Sequence, residues 1–560
     1  MNVLGISCYY HDSAACLLKK GEIVAAAEEE RFNRNKHSSK FPVDSIDYCL
    51  KSADLSIRDI DYVGFYEKPF LKFERVLVSH LRSYPFSLSE FLREMPNWLD
   101  EKLTVPLKLK KDLGYDGDVL FVKHHLSHAG SAFYPSPFEN AAILTSDGVG
   151  EWATTTIGEG KGNEIEIMKE IKYPNSLGLL YSAVTTFLGF RANYDEGKVM
   201  GLSSYGEPEY MPEFEEIVSI SSDGAYRLDE SYFEFKKGDK MYTEKFIDVF
   251  GSPREHGEDI GERHKNIAAS LQKITEKALL KLAKHLYRRT KLDNLCMAGG
   301  TFLNCVANRK ILDNTGFKDV FIQPAAADSG GAVGAALHIY NKFCDGNSSC
   351  NFRESGVFLG PSYSDKKIER ELKMRKKNYK ELPEEELIEY TAKKLAENNI
   401  VGWFQGKMEF GPRALGNRSI LANPSDPDMR DKINNKVKHR ESFRPFAPSV
   451  LLEDLERYGI EKDLPFMIQT VDIEDNKEDI ISATHVDSTA RPQTVSRERN
   501  KRYYKLLKRF KGITGLPALL NTSFNDSGKP IVCSPEDALN SFEKINIDLL
   551  VLGNYIVEEP

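Results

Sequence analysis

Three short apolar runs open the chain, Val3 to Ile6, Ala14 to Leu18 and Ile23 to Ala27, separated by a polar stretch holding His11 and Asp12 and by a Lys-Gly pair. Runs of this length between turn residues predict β-strands, here a meander with a polar loop at one end. The pattern returns roughly 135 residues later as strand, Asp147-Gly148-Val149-Gly150 turn, strand, Gly-rich turn and strand, so two lobes of related design are expected, with a ligand cleft between them. Residues 266–287 place Ile267, Leu271, Ile274, Ala278, Leu282 and Leu286 at helical spacing, which predicts one amphipathic helix. A strand from Asn294 to Met297 then runs into Gly299-Gly300, a helix opens near Asn304, and a further strand from Val320 to Ile322 leads into AAADSGGAVGAALHIY. Strands that end in Gly-rich turns opening helices are how α/β folds offer backbone N–H groups to phosphate.

At residues 344–363 the pattern gives way to Gly, Ser, Asn and Pro, and a charged helical pair follows. This predicts a domain boundary, with a first part at 1–350, its lobes roughly 1–140 and 141–350, and a second α/β unit at 351–560. That unit starts on the buried strand Ile400 to Phe404 and ends on Leu549 to Leu552. Both signs of charge interleave on the helical pair, as on a solvated face.

The whole chain has 560 residues, 41% hydrophobic and 29% charged, which is ordinary globular composition with a sizeable core. Lys plus Arg number 76 against 84 Asp plus Glu, a net charge of −8, so no overall positive field draws nucleic acid and any basic site must be local. The eight cysteines are scattered without a CxxC pair, which predicts reduced thiols and a cytoplasmic setting. Cys296 and Cys305 flank the GGTFLN turn and read as buried structural thiols. No signal peptide or membrane span is expected. P-loop, Rossmann GxGxxG and GxSxG signatures are lacking.

Two constellations carry chemistry. His124 and His128, at i and i+4, share one face of the helix expected after the strand VLFV and can present two imidazoles to one ion, with His125 turned away. Asp147 and Asp328 are plausible further ligands, and two imidazoles with carboxylates and no thiolate favour Fe²⁺, Mn²⁺ or Zn²⁺. The alternative is ordinary packing histidines. The second constellation is basic: nine Lys or Arg against five Asp or Glu lie between Lys407 and Arg444. Arg413 and Arg418 come from one Gly- and Pro-rich segment and Lys438, Arg440 and Arg444 from a second. Arg491, Asn521, Ser523 and Asn525 come from later ones. Guanidinium forks converging from turns suit a phosphate or carboxylate dianion. A basic groove without a specific ligand is the competing reading.

GISCYYHDSAACLL, EEERFNRNKH, HHLSHAGSAFY, DGVGEW, YDEGKVMGLSSYG, MAGGTFLNCVAN, GPRALGNRSI, RPFAPSV, HVDSTARPQTV and LLNTSFNDSGKPIVCSPEDA together resemble the NodU/CmcH-type O-carbamoyltransferases, the group that includes tobramycin carbamoyltransferase. The resemblance spans nearly the whole chain. It implies a two-lobed actin-like, sugar-kinase-like ATPase fold with duplicated ribonuclease-H-like lobes, followed by a YrdC-like α/β domain. It also implies that carbamoyl phosphate and ATP give carbamoyl-adenylate in the second domain, and that the first transfers the carbamoyl group to a hydroxyl of a sugar or natural product.

On that basis Arg413, Arg418, Lys438, Arg440, Arg444, Arg491, Asn521 and Ser523 are expected to bind carbamoyl phosphate, with Arg444 and Arg491 catalytic. His124, His128, Asp147 and Asp328 are expected to hold the metal, with Fe²⁺ first, and Mg²⁺ to accompany ATP. Asp12, Lys198, Gly299, Gly300 and Asn304 are expected at the nucleotide. His11 is either the general base for the acceptor hydroxyl or a loop histidine that only hydrogen-bonds substrate. Thr301-Phe302 stands where the family has a small residue after the double glycine. The acceptor is not readable, since residues 66–115 carry no assignable motif, and a homodimer stays open. An actin-fold sugar kinase and a tRNA threonylcarbamoyl transferase are the rival readings; the second would need a basic face for a polyanion.

Overall fold

The computed structural model describes residues 1–558 apart from 83, 86, 236–239, 256 and 345–349. The chain divides into two compact units, one made of residues 1–29 and 37–350 and the other of residues 30–36 and 351–560. The first unit holds two five-stranded sheets. Strands β1 (Asn2–Ser7), β2 (Ala14–Lys19), β3 (Glu22–Glu28), β4 (Tyr62–Phe65) and β5 (Asp118–Phe121) lie in the order β3-β2-β1-β4-β5. Strands β6 (Asn140–Ser146), β7 (Ala153–Lys161), β8 (Glu164–Lys172), β9 (Asn294–Ala298) and β10 (Asp319–Ile322) lie in the order β8-β7-β6-β9-β10.

In each sheet the first three strands form an antiparallel meander and the last two run parallel to the first. The same order with the same directions is a duplicated α/β lobe, the actin-like, sugar-kinase-like arrangement. The strands follow the apolar runs closely because those runs are buried: Val3, Leu4 and Ile6 in β1 and Ile143 and Leu144 in β6 are fully shielded.

Three helices position the site of this unit: α1 (His124–Phe133), which leads from the first sheet into the second, α2 (Glu262–Thr290) and α3 (Asp328–Phe343). The apolar stripe of α2 is buried from Ile267 to Leu286, as its spacing predicts. The small residues of α3 let it pack tightly on both α1 and β1. At Gly334 a Cβ would lie 1.7 Å from the Ser127 carbonyl oxygen of α1, so only glycine permits this approach. Gly334→Ala should therefore cost about 1–3 kcal/mol through overpacking and push Asp328 away from the α1 histidines. A lower unfolding midpoint together with weaker metal binding would show this.

The second unit is built on an eight-stranded mixed sheet. Its strands are β11 (Tyr379–Glu381), β12 (Val401–Phe404), β13 (Arg418–Ala422), β14 (Ala447–Leu451), β15 (Gln493–Val495), β16 (Ala518–Ser523), β17 (Leu549–Leu552) and β18 (Tyr555–Glu558), in the order β11-β18-β17-β12-β13-β16-β14-β15. Alternate residues of β12 and β17 enter different cores: Val401, Trp403, Leu549 and Val551 meet α5 (Glu384–Ala396) and α6 (Lys501–Thr514) on one face. Phe404, Leu550 and Leu552 meet α4 (Asp365–Met374) and α7 (Pro535–Phe542) on the other. A sheet covered on both faces requires continuous apolar strands such as LLVL.

Residues 30–36 join this unit through long-range bonds, Arg31 to the Gly411 carbonyl (2.8 Å) and Arg34 to the carbonyls of Ile531 (2.7 Å) and Pro530 (2.8 Å). Among the described residues no helix is long and apolar enough to cross a membrane.

Candidate functional site

Two clusters of polar side chains are built by these elements, one in each unit. In the first, His124 opens α1 and His128 follows one turn later, so their Nε2 atoms point the same way and lie 3.1 Å apart. Asp147, at the exit of β6, places Oδ2 2.9 Å from His124 Nε2 and 3.2 Å from His128 Nε2. Asp328, the first residue of α3, puts Oδ1 3.8 and 3.7 Å from the same nitrogens. All four are buried, and one ligand atom from each lies within 4.8 Å of the others.

Asp328 Oδ1 has no hydrogen-bond partner among the described residues, and an orphaned carboxylate oxygen facing two converging imidazoles fits a divalent cation. His125 turns away, as expected. Its Nε2–H donates to the Ala153 carbonyl (3.0 Å) and its Nδ1 accepts from the Thr145 hydroxyl (2.7 Å), while burial drives its pKa well down and keeps it neutral.

The electrostatics match a site that balances charge with protons when no cation is bound. Burial alone would lower the His128 pKa, but the hydrogen bond to Asp147 and the nearby charges of Asp147 and Asp328 outweigh it and lift it to about 9. Burial would raise the Asp147 pKa, yet the two imidazoles hold it well below the usual carboxylate range. A cation must displace the His128 proton, so metal affinity should rise with pH up to about 9 and then level off. It should lose about tenfold per pH unit below that, for one displaced proton. Chelator-competition titrations across this range check it, and a flat profile would show that no proton is displaced.

The elements around the ligands hold them in place. Glu151 accepts from the backbone N–H groups of His124 (3.0 Å) and Lys68 (2.8 Å), which anchors the start of α1. The Tyr66 hydroxyl donates to Asp328 Oδ2 (3.3 Å). Gly299 has φ +104°, and a Cβ there would meet the Ser146 carbonyl oxygen at 2.1 Å. The following Gly300 N–H donates to Asp147 Oδ1 at 3.3 Å. The double glycine, expected at the nucleotide, is thus turned toward Asp147.

Asn304 caps the helix Cys305–Asp313 through Ala307 N–H (3.0 Å) and exchanges bonds with Gln272. Lys198 pairs within its own turn with Asp195 at 3.2 Å. Asp12, at φ +51°, is the carboxylate between two imidazoles, His11 Nδ1 at 2.9 Å and His37 Nδ1 at 2.7 Å. With one oxygen on each ring, Asp12 orients His11. Burial would lower the His11 pKa, but Asp328, Asp12 and Asp147 lift it to about 10. Two of those three carboxylates are the ones a divalent cation would neutralise.

In the second unit several cations lie close enough to act on one another. Arg440 donates Nε–H to Asn434 Oδ1 at 2.7 Å and stacks 4.7 Å from the Phe446 ring centroid, yet its buried Nη2 has no partner among the described residues. Burial first, then the charges of Arg444 and Arg491, depress its pKa to about 9. Arg491 makes no hydrogen bond to any described residue. His485 is half-buried, and burial first and then the charge of Arg491 push its pKa well below the usual value, which keeps it neutral.

Asn521 donates to Gln493 Oε1 (3.0 Å), Ser449 Oγ (3.1 Å) and the Ala414 carbonyl (3.3 Å), leaving its Oδ1 buried without a partner among the described residues. Ser523 donates to Asn525 Oδ1 at 2.6 Å. Arg413 sits partly exposed in the loop after Gly411.

Two expected members of the anion set also hold the fold together. Arg418 is fully buried and donates to the carbonyls of Gln405, Asn417 (2.9 Å), Pro361 (2.9 Å) and Gly406 (3.2 Å), with its guanidinium 3.7 Å from the Phe404 centroid. Lys438 donates to the Ser523 carbonyl and to the carbonyl (3.0 Å) and Oδ1 (2.8 Å) of Asn525, so its three donors are consumed. The sequence reading missed Glu409, whose Oε1 accepts from the backbone of Leu415 (2.8 Å), Asn417 (2.8 Å) and Arg418 (3.2 Å) and so shapes the loop carrying Arg413. An acid just before GPRALGNR was the available signal.

Residues 2–337 match a family model described as the carbamoyltransferase N-terminus, and residues 392–559 match its carbamoyltransferase C-terminus counterpart. An uncharacterized protein of Synechocystis is 45% identical over 99% of this chain and 96% of its own length. The nodulation protein NolNO of Sinorhizobium fredii is 39% identical over 98% of this chain and 79% of its own. The 3'-hydroxymethylcephem-O-carbamoyltransferase of Streptomyces clavuligerus is 26% identical over 97% and 96%.

Proposed function

The chain belongs to the carbamoyltransferase family, and from that premise we propose that it is an ATP-dependent O-carbamoyltransferase that activates carbamoyl phosphate in its C-terminal unit and transfers the carbamoyl group in its N-terminal unit. The observation that carries this reading is the pairing, in one chain, of an arginine cluster around the buried, partnerless Nη2 of Arg440 with a separate His-His-Asp-Asp cluster.

In the first step Arg440, Arg444 and Arg491, with Asn521 nearby, neutralise the carbamoyl phosphate dianion, and Arg413 reaches it from its loop. Water cleaves carbamoyl phosphate to carbamate and phosphate. A carbamate oxygen then attacks the α-phosphorus of ATP, the bond to the β-phosphate breaks, and pyrophosphate leaves with carbamoyl-adenylate formed.

In the second step the acceptor oxygen forms a bond to the carbamoyl carbon, the bond from that carbon to the adenylate phosphate oxygen breaks, and AMP leaves with the electron pair. His11 takes the hydroxyl proton at Nε2, because Nδ1–H is held by Asp12. His124, His128, Asp147 and Asp328 would hold a divalent cation, whose chemistry at this place is Lewis-acid polarisation of the carbamoyl carbonyl.

Incubation with ATP, radiolabelled carbamoyl phosphate and a panel of hydroxylated sugars and natural products tests the reading. ATP-dependent label in an O-carbamate, with AMP and pyrophosphate as coproducts, is expected. Phosphorylated acceptor with ADP would establish a kinase instead.

A further inference from the structure

Between β4 and β5 the first lobe carries residues 66–117, whereas the equivalent connection in the second lobe, between β9 and β10, needs only residues 299–318. The longer connection begins with the helix Pro69–Arg82, whose buried face presents Lys72 and Arg75 one turn apart. Lys72 is neutralised by Glu67 at 2.5 Å and lies 5.1 Å from the Tyr10 ring centroid. Arg75 is not neutralised. It is 9% exposed, stacks 5.2 Å from the Tyr173 ring centroid, and makes no hydrogen bond or ion pair with any described residue, its buried Nε included.

Glu151, the other carboxylate whose charge reaches Arg75, spends its oxygens on the backbone N–H groups of His124 and Lys68. Removing a guanidinium from water without giving its donors an acceptor is costly, so such a group persists where a ligand supplies the acceptor. The surroundings locate that ligand. Lys72, one turn before Arg75 on the same buried helix face, lies over the Tyr10 ring; that ring stands 4.6 Å from the His11 ring, and a Cβ at Gly148, next to Asp147, would lie 3.9 Å from the Tyr10 hydroxyl. Arg75 therefore borders the transfer site on the side of the proposed base.

We propose that Arg75 binds an anionic oxygen group, carboxylate or phosphate, of the hydroxylated acceptor, with Tyr173 as the stacking wall, so that the acceptor of this chain is a negatively charged molecule. The inference rests on the O-carbamoyl transfer reading. The acceptor supplies the anion because the metal cluster comes from α1, α3 and the exit of β6, while Arg75 comes from a connection that is longer in the first lobe than in the second.

The test uses the full chain and three variants-by-ligand comparisons. Methyl β-D-glucuronide, its neutral counterpart methyl β-D-glucoside, and AMP are titrated into the wild type, Arg75→Met and Arg75→Lys, with unfolding midpoints measured with and without each ligand. The wild type should bind the glucuronide at least about tenfold more tightly than the glucoside. Arg75→Met should lose that preference and Arg75→Lys keep part of it, both with AMP affinity within about twofold of wild type and with ligand-free midpoints no lower.

A wild type that does not discriminate overturns the proposal. So does loss of AMP affinity in Arg75→Met, which would give the anion to the adenylate, and so does a lowered ligand-free midpoint, which would make Arg75 a structural stacking residue. Carbamoyl-adenylate formation, followed in the same samples, reports on the activation reading separately: its absence beside an intact glucuronide preference would fault that reading and leave the Arg75 assignment standing.

Discussion

Replacing His124 and His128 together with alanine should empty the N-terminal unit of metal and lower carbamoyl transfer by about two to three orders of magnitude, while carbamoyl-adenylate continues to form. The size follows from losing a Lewis acid worth several kcal/mol of transition-state stabilisation. Selectivity follows from the division of the chain, because both histidines lie in α1 of the first unit and the arginine cluster lies in the second. Metal analysis, adenylate formation and acceptor carbamoylation, measured on one preparation, separate the steps. Equal loss of both half-reactions would contradict the assignment. The unfolding midpoint is measured alongside, since Asp147 and Asp328 lose their imidazole partners while staying buried. A carboxylate pair left so close can share a proton.

Arg491→Ala should raise the carbamoyl phosphate concentration needed for half-maximal adenylate formation by about ten- to a hundredfold, the value of one charge-assisted contact of about 1.5–3 kcal/mol. The ligand-free protein should be no less stable, because Arg491 bonds to no described residue and its charge only opposes Arg440. Arg418→Ala should behave in the opposite way. It removes donors from four carbonyls in the core of the second unit, so it should lower the unfolding midpoint first and affect substrate binding only through lost structure. Unchanged carbamoyl phosphate affinity in Arg491→Ala would remove the cluster from the substrate site.

The contrast between Arg491 and Arg418 marks how far the sequence could be read. Both are arginines in Gly- or Pro-rich surroundings, and local pattern gave them the same role. What separates them is tertiary: Arg418 meets carbonyls from Pro361, Gln405 and Gly406, which approach it only after β12 and β13 have paired. Lys438 is similar, its donors being consumed by Ser523 and Asn525 on a distant strand exit.

The strands and long helices were legible because burial itself writes the apolar runs, as in LLVL of β17 and the stripe of α2. The His124 and His128 pairing was legible because helical spacing is local, and the structure brings Asp147 and Asp328 to the same point. The assignment of residues 30–36 to the second unit was not, because it depends on bonds from Arg31 and Arg34 to carbonyls hundreds of positions away. Arg75 gave no sequence signal either, as one basic residue on an amphipathic helix looks like any other until its lack of a partner is seen.

The central claim is that activation and transfer are separate reactions of separate side-chain clusters in one chain. Its most direct test gives the His124→Ala/His128→Ala protein ATP and radiolabelled carbamoyl phosphate without any acceptor and analyses the nucleotides by mass spectrometry. The account predicts labelled carbamoyl-adenylate together with inorganic phosphate and pyrophosphate, formed at a rate close to wild type. ATP left intact, or converted to ADP with no labelled adenylate, would contradict it.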